Sequence, residues 1–302
     1  MLTVAAFYRF TPFTDPAALK GPLEAACRAS DVRGTILLAP EGINGAVAGA
    51  PDRVAAALAH VRALPGCGDL ACRESSARAQ PFLRLKVRLK KEIVTLGRPG
   101  VDPAARVGAR VAPADWDALI ARADVAVIDT RNTYETGIGK FPGAIDPETD
   151  SFTDFPLWWA QNADRLRGKT IAMYCTGGIR CEKATSWLLG QGLDEIFHLD
   201  GGILRYLEEI PAAESRWEGE CFVFDGRVAV GPGLQPGAHV LCHACRRPVA
   251  PADQASPSYR PGISCPACAD ERSDADRARF AERERQIRLA RARGESHLGR
   301  RE

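Results

Sequence analysis

An apolar run, Thr170-Ile171-Ala172-Met173-Tyr174, stops at Cys175 and passes through Thr176-Gly177-Gly178 into a helical pattern over 181–191. A strand so short and so uniformly apolar is buried on both faces, and a helix that follows it directly must cover one of them. The alternation recurs on both sides. A helix through Leu119, a buried strand over 125–129 and a helix over about 158–166 precede the run; a short strand over 196–199 and a helix from about Ile203 follow it. This part of the chain is expected to be α/β, with a parallel sheet covered on both faces.

The first 95 residues follow a different order. A strand over 4–10 leads past Pro16 into a helix with Leu19, Leu23 and Ala26 on one side. Strands over 35–39 and 46–48 come next, then a helix over 51–64 with Val54, Leu58 and Val61 at helical spacing. The clearest strand closes the set: Leu83, Leu85, Val87 and Leu89 alternate with Arg84, Lys86, Arg88 and Lys90. Strand, helix, strand, strand, helix, strand is the ferredoxin-like α+β order, with helices on one sheet face and the other face available. Residues 96–112, rich in Gly and Pro, read as a linker from this domain (1–95) to the α/β domain (113–215). A hairpin around Asp225-Gly226 and four cysteines make a third segment over 216–270. The tail 271–302, where Arg interleaves with Asp and Glu, reads as a solvated helix that frays or is disordered.

Composition limits what such a multidomain chain does. Among its 302 residues no apolar run approaches the roughly 18 needed to span a bilayer, and the first residues lack the charged and apolar regions of a secretory signal. The expected location is cytoplasmic, with no membrane partner. A net charge of +2 neither requires nor forbids nucleic acid, so any basic surface must be local. Ten cysteines in a reducing compartment point to metal ligation or thiol chemistry rather than to disulfides.

The thiol chemistry has an obvious place. A loop joining a buried strand to a helix turns its backbone N–H groups inward above the helix N-terminus, an anion cradle that also favours thiolate over thiol. Cys175 is therefore the candidate nucleophile. Gly177 and Gly178 permit the backbone angles of such a cradle, and Arg180, after Ile179, is expected to close it with a cationic fork. Four residues separate Cys175 from Arg180, whereas cysteine phosphatases place five between theirs, so this loop suits a sulfur atom, a persulfide or another compact group. A buried structural cysteine at a strand end is the alternative. Cys181 reads either as a resolving thiol for an oxidised Cys175 or as packing in the first helical turn. Lys183 reads as adding to the positive field at the helix start or, more commonly for such a lysine, as solvated, and Asp129 with Arg131 as an ion pair holding neighbouring loops.

Two further groups carry charge or metal affinity. Alternation sets Arg84, Lys86, Arg88 and Lys90 on one strand face at about 6.6–7 Å, close to the spacing of successive phosphates. This is an RNA track or a solvated sheet face. Glu41 and Asn44, in the turn Pro40-Glu41-Gly42-Ile43-Asn44-Gly45, satisfy turn geometry and are also placed to contact a base or ribose. Cys242, Cys245, Cys265 and Cys268 form C-x2-C, nineteen residues, C-x2-C, a zinc-ribbon-like donor set for one tetrahedral Zn²⁺. Four thiolates leave no open position, so such a zinc is structural; four free cysteines without metal are the alternative.

Several segments together carry a resemblance. Asp129-Thr130-Arg131, Phe141-Pro142-Gly143-Ala144-Ile145, the Cys175 loop and Asp200-Gly201-Gly202 are similar to the signature segments of rhodanese domains. Residues 38–45, 84–94 and 175–184 resemble, more narrowly, the bacterial rhodanese-containing family of oxygen-dependent tRNA uridine hydroxylases, which act at the wobble position. The resemblance covers residues 1 to about 270. It implies a rhodanese-like catalytic domain with Cys175 as the active-site residue, a tRNA substrate engaged at its anticodon region, and O₂ as co-substrate yielding 5-hydroxyuridine.

Three function classes stand at this stage: a tRNA wobble-uridine hydroxylase, a sulfurtransferase carrying a persulfide on Cys175, and a non-catalytic RNA-binding protein that keeps the loop as an anion site. A plain sulfurtransferase has no need of a basic N-terminal sheet, and a binding module has no need of an activated thiol; a hydroxylase acting on tRNA uses both. With five histidines (His60, His198, His239, His243 and His297) and no dinucleotide fingerprint, neither the oxygen-activating group nor the electron donor is legible. The oligomeric state is equally unmarked.

Overall fold

The computed structural model describes residues 1–295. The N-terminal domain comprises β1 (Leu2–Phe10), α1 (Pro16–Ala29), β2 (Arg33–Ala39), β3 (Gly42–Gly49), α2 (Pro51–Arg62), β4 (Cys72–Ala77) and β5 (Leu85–Leu89). Its sheet runs β4-β1-β3-β2-β5. The first four strands have the ferredoxin-like arrangement, but its last member is β4, not the alternating basic strand. That strand is β5, a fifth member added parallel to β2 at the sheet edge. Cys72-Arg73-Glu74-Ser75-Ser76-Ala77 escapes sequence reading because, as an edge strand on β1, it carries no apolar alternation.

Helices α1 and α2 cover one face of this sheet over Ala5, Phe7, Ile36, Leu38, Leu85 and Val87. Asp15 caps α1, its carboxylate accepting the Ala17 and Ala18 N–H groups at 3.0 Å, with Pro16 at the first helical position. The opposite face is not available as expected. Val4, Ala48 and Ala77 meet Phe82, and Tyr8, Phe10 and Ala39 pack with Ile93 and Val94 of the segment after β5 and with Ile179 of the second domain. These side chains are apolar because the face is an internal interface.

The second domain comprises β6 (Ala109–Val111), α3 (Pro113–Ile120), β7 (Val125–Asp129), α4 (Thr133–Thr136), β8 (Gly139–Lys140), α5 (Phe155–Asn162), β9 (Thr170–Tyr174), α6 (Ile179–Leu189), β10 (Ile196–Leu199) and α7 (Gly202–Glu209). Its sheet is parallel, in the order β6-β10-β9-β7. Every residue of β9 is buried, as its composition requires. The stretch read as linker is structured at its end, since β6 pairs with β10 and the Gly108 N–H donates to Thr185 Oγ1 at 3.0 Å.

Then follow β11 (Glu218–Gly219), paired with β8, and a hairpin of β12 (Cys221–Phe222) and β13 (Ala229–Val230). β14 (Val240–Leu241), β15 (Pro248–Val249) and α8 (Pro251–Gln254) form the cysteine lobe, and α9 (Asp274–Ala292) completes the described chain. The tail is not merely solvated: α9 is continuous over 19 residues, buries Phe280 and Ala290, and donates from Arg283 to the Gly262 carbonyl at 2.6 Å. The remainder of the tail, 296–302, with His297, lies outside the described residues. Among the described residues no helix is long and apolar enough to cross a membrane.

Candidate active site

Cys175 ends β9, and the loop that follows is held from outside. The carbonyls of Cys175 and Thr176 accept the N–H groups of Ile203 and Leu204, at the start of α7, at 3.0 Å each. With its carbonyls drawn outward, the loop turns its N–H groups inward, and Gly178 N–H donates to Cys175 Sγ at 3.1 Å. Gly178 adopts φ +98°, which this turn requires. At Gly202 a Cβ would come within 2.5–2.7 Å of the Cys175 carbonyl, the Gly178 N and the Thr176 carbonyl, so α7 reaches the loop only because that residue lacks one.

The thiol itself is 1% exposed. Burial opposes its ionisation, but the Cys181 thiol, the Arg180 guanidinium and the backbone N–H groups of Cys181 and Arg180 outweigh it, bringing Cys175 from 9.0 down to about 6. Cys181 moves the other way, pushed up by burial and by its hydrogen bond to Cys175; its sulfur also lies 3.5 Å from Thr130 Oγ1. Cys181 packs in the core of the domain and its thiol meets that of Cys175.

Arg180 does not close the cradle as a free cation. Its guanidinium makes a bidentate pair with Glu135, at 2.7 Å on each arm, and both side chains are buried. The Thr176 hydroxyl donates to the same carboxylate at 3.2 Å. Burial alone would raise the Glu135 carboxyl, yet Arg180 holds it below its usual range. Glu135 was not singled out from sequence; its only signal is a capping box with Asn132 at the start of α4. Asp129 and Arg131 form the expected ion pair, at 2.6 Å and fully buried, with Arg131 also donating to the Gly139 and Glu135 carbonyls.

Lys183 corrects a second expectation. It is 1% exposed, and its ammonium meets Glu41 at 2.7 Å, Glu92 at 2.5 Å and the Val94 carbonyl at 2.9 Å. Glu41 and Asn44 are thereby used internally, Asn44 Nδ2 donating to the Ile93 carbonyl at 3.0 Å. One turn of the thiol helix is thus pinned to the β2–β3 turn and to the segment after β5. The N-terminal sheet also sends Tyr8 to the loop: its hydroxyl donates to Glu182 at 3.2 Å and lies 2.8 Å from where a Gly178 Cβ would stand. Arg110 of β6 meets the same Glu182 oxygen at 2.8 Å.

The basic residues sit on another element than the thiol. Lys86 and Arg88 fall within β5, while Arg84 and Lys90 flank it; Lys86 is half-buried and the other three are exposed. Partial burial, with the fields of Arg84, Arg88 and Arg246 of the cysteine lobe, lowers the Lys86 pKa. In that lobe the sulfurs of Cys242, Cys245, Cys265 and Cys268 all lie within 4.8 Å of one another, with Cys242–Cys268 at 3.9 Å and Cys245–Cys265 and Cys265–Cys268 at 3.7 Å. Metal–sulfur bonds of about 2.3 Å in a tetrahedron imply sulfur–sulfur edges of about 3.8 Å, so this set fits one tetrahedral ion such as Zn²⁺.

A parallel sheet whose strand end presents a thiol in an inward-facing N–H loop defines a rhodanese-like domain, here joined to a ferredoxin-like one. Residues 112–209 match the rhodanese-like domain family and residues 2–93 the UPF0176 acylphosphatase-like domain family. Proteins called tRNA uridine(34) hydroxylase align over nearly the whole chain. That of Ruegeria pomeroyi is 60% identical over 298 residues, and that of Jannaschia sp. (strain CCS1) 58% over 299, each covering 99% of both chains. That of Caulobacter vibrioides is 57% identical over 303 residues, covering 98% of this chain and 96% of its own. The chain belongs to the tRNA uridine(34) hydroxylase family.

Proposed function

We propose that this protein hydroxylates C5 of the wobble uridine, position 34, of tRNA, with O₂ as co-substrate and Cys175 as the active-site thiol. The carrying observation is the full-length identity of 57–60% with tRNA uridine(34) hydroxylases. The site is consistent with it, because its thiol is ionised near neutral pH while being enclosed by protein. In the net change a hydroxyl replaces the C5 hydrogen, and the second oxygen atom leaves as water, taking up two electrons and two protons. The loop N–H groups and Arg180 hold negative charge at sulfur. Glu135 fixes Arg180, and Lys183 keeps the N-terminal domain against the thiol helix.

In the same reading Arg84, Lys86, Arg88 and Lys90 track the tRNA backbone near the anticodon, and the reaction takes place in the cytoplasm. The crowding of like charge around Lys86 is relieved by a polyanion. Cys242, Cys245, Cys265 and Cys268 hold a structural Zn²⁺, which supplies cohesion to a lobe short of apolar residues. A sulfurtransferase would use the same loop with a persulfide on Cys175, and oxygen separates the two. Labelled O₂ supplied to cells should place its isotope on uridine 34, and strict anoxia should remove the modification. Undiminished protein-dependent modification without oxygen, or a thiolated uridine, would establish the sulfurtransferase instead.

A further inference from the structure

The Cys175 loop is covered on its Gly178 side by Tyr8 and is open at Gly177, where no atom lies within 4 Å of a Cβ position. On its Arg180 side stands a second aromatic from a third part of the chain. Phe224, at the tip of the β12–β13 hairpin, has its ring centroid 5.9 Å from the Arg180 guanidinium carbon, and yet is 63% exposed. Its neighbours are ordinary core: Phe222 is 5% exposed, meets Phe224 edge-on at 5.3 Å, and packs on Tyr134 at 5.2 Å. Singly exposed apolar residues are common on protein surfaces, but this ring stands at the thiol loop, with the Arg180 guanidinium over it.

The turn carrying Phe224 is pinned. Asp225 and Arg227 pair at 2.6 Å, Arg227 also donates to Ser75 Oγ at 2.6 Å, and the Gly226 N–H donates to the Pro81 carbonyl at 2.9 Å. Val228 is held at φ +68°, a conformation β-branched residues rarely take. A rigid aromatic face is thus presented to solvent beside the thiol loop, supported behind by the paired Arg180. Enzymes that act on one base of a nucleic acid take it out of the stack and hold it against aromatic side chains, a contact worth about five- to 150-fold in binding per base.

We propose that Phe224 is the stacking platform for the unpaired target base at the Cys175 loop. This rests on the tRNA reading above and deepens it by naming a substrate-positioning residue on the hairpin. The test uses the full-length protein and a synthetic anticodon stem–loop RNA carrying uridine 34, with binding read by fluorescence anisotropy. Phe224→Ala should weaken binding about tenfold, within that range, and Phe224→Tyr should bind within about twofold of wild type. With an abasic site at position 34, wild type and Phe224→Ala should bind alike, which a merely structural role would not produce. Equal binding by all three proteins to the intact RNA, or an equal loss in Phe224→Ala on intact and abasic RNA, would overturn the platform. A wild type that binds the stem–loop no better than a scrambled hairpin would overturn the tRNA reading and the platform with it.

Discussion

At Cys175 two opposing effects meet: full burial, which disfavours a thiolate, and a set of donors that favours one. The donors win, so alkylation by a small reagent such as iodoacetamide should rise with pH about a midpoint near 6 and level off by neutrality; a free thiol would still be gaining reactivity at pH 8. Glu135 sets the strength of one donor, because its carboxylate offsets part of the positive field of Arg180. Glu135→Gln should therefore move the alkylation midpoint lower still, and Arg180→Met should move it higher. Each substitution strands a buried charge and should cost about 3–5 kcal/mol of stability in denaturant unfolding. A midpoint unchanged in both variants would remove the Arg180–Glu135 pair from the account of thiol activation.

Between elements, the decisive contact is the buried ammonium of Lys183 on α6, shared by Glu41 and Glu92 of the N-terminal domain. Lys183→Met would leave two carboxylates mostly buried and unpaired. About 3 kcal/mol is expected, the lower end of the range because each carboxylate keeps about a fifth of its exposure. Limited proteolysis between the domains should accelerate accordingly. Burial would raise the Glu92 carboxyl, but its bonds to Lys183 and to the Leu96 and Gly97 N–H groups hold it below 4.5. A depressed acid stabilises the fold fully above its unfolded pKa, so this contact should be at full strength above about pH 4.5 and weaken as the pH falls through the lower folded value. The lock also shows which features a sequence reveals. The Cys175 loop was legible because strand, glycines and arginine are contiguous, and the zinc set because its spacing is local. Glu135 lies 45 residues from Arg180 and Glu41 lies 142 from Lys183, so the first pair exists only once the α/β domain has folded and the second only once the two domains have stacked. β4 and β6 were missed for a related reason: at sheet edges the partner strand supplies the order, and apolar periodicity is not needed.

Across the whole molecule, three parts converge on one loop and its helix: the N-terminal domain through Tyr8 and Glu41, the α/β domain through Cys175, and the hairpin through Phe224. The cysteine lobe stands beside the basic strand, with Arg246 in the field of Lys86. Purified protein should contain about one zinc per chain, and chelation should unfold the lobe as seen by rising proteolysis after residue 240, with the Cys175 alkylation profile retained. Reversing charge at Arg84, Lys86 and Arg88 should weaken tRNA binding and flatten its dependence on salt, because fewer counterions are released; superimposable isotherms across a salt series would exclude the track. In the proposed reaction the enclosed thiol is needed to hydroxylate uridine 34. Nucleoside mass spectrometry of tRNA from aerobic cells lacking the gene, complemented with wild type or with Cys175→Ser, measures this directly. Wild type should restore 5-hydroxyuridine at position 34 and Cys175→Ser should not, although both proteins accumulate folded to similar levels. Equal restoration by the two would contradict the assignment.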